Sequence, residues 1–122
     1  MIIGGVVSIY VTDMDRAIDF YARVLGLHLR TRIANDWAEL VAGPGLTVGL
    51  HIARPPETVA AGTRGAIDVE LQVDGPMEDT VRILAERAGK PIVGTINSYE
   101  HVRIAALSDP DGNVVLLAEQ LG

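Results

Sequence analysis

Residues 6–26 read VVSIYVTDMDRAIDFYARVLG. Val7, Ile9 and Val11 alternate with Val6, Ser8 and Tyr10, which is the period of a strand. Thr12 or Asp13 then offers a helix cap, and Asp15 falls beside the positive helix end. Ala17, Ile18, Tyr21, Val24 and Leu25 follow at helical spacing, and Gly26 suits the left-handed residue that ends a helix. Residues 67–89, IDVELQVDGPMEDTVRILAERAG, run through the same order of strand, turn, helix and glycine. The offset of roughly sixty residues is half the 122-residue chain, the mark of an internal duplication. Two similar units should therefore enclose a site between them.

The remaining segments extend each unit in the same way. Leu27–Ile33, Trp37–Ala42 and Leu46–Ala53 read as strands, with Gly43-Pro44-Gly45 as a turn. In the second unit, Pro91–Ile96, Tyr99–Ser108 and Asn113–Glu119 read as strands. Asp109-Pro110-Asp111-Gly112 is a hairpin signal, because proline pre-sets one turn dihedral and glycine supplies a positive one. Arg54–Arg64 holds two prolines, two threonines and Gly62, and reads as the linker. The expected plan is βαβββ twice: residues 1–53, a linker at 54–64, and residues 65–122, all one domain. Val7, Ile9, Ile18, Leu25, Leu50, Val69, Leu71, Leu84, Val115 and Leu117 are the expected core. One helix covers one sheet face, so the other face must find a partner, bind a ligand or stay wet.

Composition narrows the function. Hydrophobic residues are 48% and charged residues 21%, as in a globular chain. The net charge of −6 argues against nucleic acid or an anionic membrane as partner, since both need a basic surface. Without cysteine there is no disulfide, thiolate metal site or thiol nucleophile. No run has the apolar length of a membrane span and no basic segment leads into a signal-peptide core, so a cytoplasmic location is expected. Phosphate loops, serine elbows and His-Glu-x-x-His helices are all missing from the sequence.

VTDMDRAIDFYARVLGL resembles the opening of the vicinal oxygen chelate superfamily, the glyoxalase, bleomycin-resistance and dioxygenase group. Asp13, Phe20-Tyr21 and Leu25-Gly26 fit that pattern, and SDPDGNVVLLAEQ resembles the family's second hallmark before its final strand. The resemblance implies an α+β fold in which two paired βαβββ modules curl into a half-open barrel. It also implies a small-molecule ligand, a homodimer and, in many members, a divalent metal. Carried over one at a time, the metal positions fall on Val6, His51, Asp68 and Leu116. Val6 and Leu116 have no donor atom, so His51 and Asp68 are the pair left to hold an ion. Catalytic metal sites use three or more protein ligands, so a protein free of metal and other cofactors is the leading expectation, with a divalent metal on His51 and Asp68 as the alternative.

The same residues then define a pocket. His51 lies opposite the apolar set Leu50 and Ile52, and imidazole titrates near neutrality, which suits a base. Asp68, Glu70 and Gln72 share one strand face, where neighbouring carboxylates can raise one another's pKa. His51 and Glu70 are the candidate catalytic residues. Arg103, on a face with Tyr99 and His101, offers a planar donor fork for a carboxylate or enolate. Val6, Tyr10, Trp37 and Leu116 would make apolar and aromatic walls. Two function classes follow: a protein that sequesters an apolar or aromatic compound, and a metal-dependent or metal-free lyase or isomerase using His51 with Asp68 or Glu70. Iron-dependent dioxygenation fits least, for want of a ligand triad.

Overall fold

The computed structural model describes residue 1 and residues 6–53, 61–62 and 69–122. Among the described residues, eight strands and two helical segments follow one another in the expected order. The first unit holds β1 (Val7–Val11), helix α1 (Met14–Ile18) with a π-helical continuation (Asp19–Val24), β2 (His28–Ile33), β3 (Trp37–Ala42) and β4 (Leu46–Ile52). The second holds β5 (Val69–Gln72), α2 (Met77–Ala88), β6 (Asn97–Ser98), β7 (Val102–Ser108) and β8 (Val114–Gln120). The two sheets have equivalent orders, β1-β4-β3-β2 and β5-β8-β7-β6. Each is mixed: β1 runs parallel to β4 and β5 parallel to β8, and the other pairs are antiparallel.

Local chemistry sets the helix ends. The Asp13 carboxylate accepts the Arg16 backbone N–H and starts α1. Gly26 and Gly89 end the helical segments with positive φ, as expected. The π continuation is a difference from the expected α-helix: the Leu25 N–H reaches back to the Phe20 carbonyl. Pro76 precedes α2 without a capping side chain, and Glu119 of β8 takes that role by accepting the Met77 N–H at 2.9 Å.

One apolar core lies between the sheets and the helices, and of the expected core residues Ile9, Leu50, Val69, Leu84, Val115 and Leu117 are buried. Ile18, Leu25 and Leu71 are half-buried against it, and Val7 is exposed because it opens an edge strand. Pro91–Ile96 is not a strand; Gly94 donates a single hydrogen bond to Ala106, and pairing begins at Asn97. β7 starts at Val102, so Tyr99 and His101 sit in the bend before it. The expected linker lies outside the described residues apart from Ala61 and Gly62.

The turn at 109–113 ties the two units together. The Asp109 carboxylate, only 5% exposed, accepts from the Tyr21 hydroxyl, the Asp111 and Asn113 backbone N–H groups and the Asn113 amide. Asn113 also donates to the Tyr10 carbonyl on the outer edge of β1, and Asp111 accepts from the Thr12 N–H and hydroxyl. On the helical side, Arg23 donates to the Arg87 carbonyl and Arg87 to the Val24 carbonyl.

Candidate functional site

In the first sheet the core-facing residues Ile9, Val11, Ala38, Leu40, Val48 and Leu50 leave the alternate set on the opposite face. Strand register places Tyr10 beside His51, and His51 beside Trp37, in one row across β1, β4 and β3. The Tyr10 and His51 rings are 4.9 Å apart between centroids and tilted by 46°. Trp37 meets His51 edge-on, at 6.1 Å and 77°. All three side chains are half-buried, so the row is accessible from the open side.

The next row explains how the indole is held. Ser8, Gly49 and Glu39 are register neighbours there. A Cβ on Gly49 would stand 2.3 Å from the Trp37 ring and 2.8 Å from Val6, so the indole lies over a position that must lack a side chain. The indole Nε1–H donates to the Glu39 carboxylate at 3.1 Å, and Arg30 donates to its other oxygen at 2.6 Å. Those two donors, Arg30 first, hold the Glu39 carboxyl below the usual glutamate value. Val6, Tyr10, Trp37 and His51 therefore come together, supported by Gly49, Glu39 and Arg30. The alternation Trp37, Glu39, Val41 and a lone glycine inside β4 were the sequence signals for this supporting set.

His51 is oriented by its own strand. Its Nδ1 lies 2.8 Å from the Ile52 carbonyl, which can only accept, so Nδ1 carries a proton. In the neutral ring, Nε2 is then the lone-pair atom, and it has no hydrogen-bond partner among the described residues. It can accept a hydrogen bond or a proton from a ligand.

The second sheet distributes the other candidates differently. Glu70 and Leu116 are register partners on the face away from α2, with Ala106 beside them. Glu70 is exposed and lines a crevice that Tyr10, Trp37 and His51 do not reach. Arg103 pairs with Glu119 on the helix side, where its guanidinium bonds Glu78 of α2 and Glu119. It is not grouped with the aromatic row. Asp68 lies outside the described residues.

Among the described residues, no group of three or more His, Asp or Glu converges to hold a metal ion. Of the positions assigned to a metal by resemblance, Val6 and Leu116 offer no donor atom, and His51 with Asp68 would supply at most two ligands. That donor set does not fit a divalent ion in a catalytic site.

Comparison with known proteins agrees with this fold. Residues 4–117 match the family model described as the Glyoxalase/Bleomycin resistance protein/Dioxygenase superfamily. The chain is similar to an antibiotic binding protein from Streptomyces sp. CB03234, with 25% identity and a TM-score of 0.77, over 98% of this chain and 97% of that one. A glyoxalase/bleomycin resistance protein from the same organism is 26% identical, with a TM-score of 0.73 over 94% and 98% of the two chains. Lactoylglutathione lyase from Agrobacterium tumefaciens, at 21% identity, shares the fold, with a TM-score of 0.71 over 97% and 92%. No curated protein sequence matches the chain.

Proposed function

We propose, from the premise that this chain belongs to the Glyoxalase/Bleomycin resistance protein/Dioxygenase superfamily, that it binds a planar aromatic small molecule on the open face of its first sheet. The carrying observation is the row of Tyr10, His51 and Trp37 across three strands, with the indole set over Gly49. Clustered rings offer a planar ligand stacking and edge contacts that a saturated ligand cannot match. Val6 adds an apolar wall, and the His51 Nε2 lone pair gives one convergent polar point, the usual composition of a small-molecule site. The similar antibiotic binding protein supports a binding role for this chain. The reading needs no metal.

Acridine and its saturated, non-planar counterpart perhydroacridine test this by calorimetry. The expected result is saturable binding of acridine, weaker by tenfold or more for the saturated ring system and for Tyr10→Ala. Equal affinity for both compounds would remove the aromatic row as the recognition element. If a turnover reaction is found and His51→Ala abolishes it, the enzymatic reading replaces sequestration.

The same proposal includes a homodimer in the cytoplasm. Val6, Val7, Leu29, Ile33 and Leu121 are large apolar side chains left exposed, and they invite a second copy. Among the described residues no helix is long and apolar enough to cross a membrane. Light scattering at micromolar concentration should give twice the chain mass of 13.0 kDa; the single-chain mass throughout would overturn the dimer.

A further inference from the structure

The two halves differ at the seam between them, and a crevice opens on one side. At the end of β1, the turn at 109–113 closes the seam with hydrogen bonds from Asn113 to the Tyr10 carbonyl and from Thr12 to Asp111. The equivalent place in the other half is the end of β5, facing the turn between β3 and β4. That turn is Gly43-Pro44-Gly45, which has no side chain able to donate or accept. No hydrogen bond joins these described residues to β5. A cavity of about 660 Å³ lies between them, within the size range of small-molecule sites.

Its chemistry is two-sided. Leu25, Leu46, Leu71, Val73 and Leu84 line it with apolar surface. Glu70, Gln72 and Thr80 add polar groups. The Val73 N–H bonds to Ala118 of β8, so by strand alternation the Glu70 and Gln72 main-chain groups point to the outer edge of β5, which no described strand pairs. Glu70 has no ion pair or hydrogen bond to its carboxylate among the described residues, whereas Asp15, Asp19, Glu39, Glu78, Asp79 and Glu119 each have an arginine. A crevice with an apolar wall and a carboxylate that has no partner among the described residues, in a chain of net charge −6, favours a cation.

We infer that the crevice between the β3–β4 turn and β5 is a second small-molecule site, specific for an apolar amine whose ammonium group meets Glu70. The alkyl or aryl body lies against Leu71, Val73 and Leu84 on the α2 side, and the ammonium group sits at the outer edge of β5, where the outward carbonyls accept from it and the Glu70 side chain, which leaves the strand on the other face, reaches it around the edge. The site stands apart from the aromatic row and goes beyond the proposed function.

Nitrogen–proton NMR of the full chain separates the two sites, with 4-phenylbutylamine and 4-phenylbutyrate as probes of matched shape and opposite charge. The amine should shift the backbone signals of Gly43, Gly45 and residues 70–73, and the carboxylate should bind at least tenfold more weakly. Glu70→Gln should weaken the amine about tenfold. Thr80→Phe, which fills the crevice from α2, should abolish its binding while acridine binding persists. Equal binding of the two probes, shifts confined to residues near Tyr10 and His51, or no saturation by the amine at millimolar concentration would each overturn the site.

Discussion

Gly49 decides more at the open face than any side chain there. Its missing Cβ leaves the room that the Trp37 ring occupies, and the indole is then held by Glu39 and Arg30. Gly49→Val should push the indole off the sheet. Overpacking of this kind costs about 1–3 kcal/mol, read as a lower urea midpoint. Trp37 is the chain's one tryptophan, so its emission should also move toward that of a solvated indole. An unchanged midpoint with unchanged emission would mean that the indole does not lie over Gly49. His51 shows the same economy of means: one bond to Ile52 fixes the ring and leaves Nε2 without a partner among the described residues.

At the scale of elements, α2 is anchored from the sheet rather than by its own cap. Glu119 accepts from the helix N-terminus and from Arg103, and Arg103 bonds Glu78 in the first turn. Hydrogen bonding from Arg103 lowers the Glu78 carboxyl from its ordinary value to about 2. A lowered folded-state pKa contributes stability above the unfolded value, and that contribution is lost as pH falls toward the folded one. Wild type should therefore be more stable than Glu78→Gln near neutral pH, and the gap should close between about pH 4.5 and 2. A gap that stays constant across that window would show the pair to be electrostatically idle. Arg103 also shows where the sequence stops being readable. Arg103, Ala105 and Leu107 share one face, but Ile104 and Ala106 make the other face apolar too, so alternation does not say which side meets the helix. Tyr99 and His101 precede the strand, because a bend whose Tyr99 N–H bonds to the Val102 carbonyl intervenes. By contrast β3 and β4 were legible to within a residue, since clear alternation and the Gly-Pro-Gly turn bound them. The π continuation left no mark, because Ala17, Tyr21 and Val24 fit the core on either helical period.

For the whole molecule, the duplication was readable from the repeated order of residues, and the aromatic row followed once strand parity was known. What the sequence did not carry was how the units pack. That rests on contacts such as the Tyr21 hydroxyl on Asp109, between residues far apart in the chain. Burial, and then Asp109 beside it, raise the Tyr21 pKa, so the phenol stays a donor throughout the working pH range. With the turn at 109–113 bonded to β1 and to Tyr21, the two units should unfold as one. Trp37 emission, which reports the first unit, and far-ultraviolet circular dichroism, which reports both, should give coincident urea transitions. Separated transitions would mean that the units are independent. The central claim, that the open face of the first sheet is the ligand site, has its most direct measurement in the single indole N–H signal of Trp37. On titration with acridine that signal should shift saturably, with the midpoint found by calorimetry, and the shift should disappear in Gly49→Val. Acridine binding of the same affinity with the indole signal unmoved would contradict the claim.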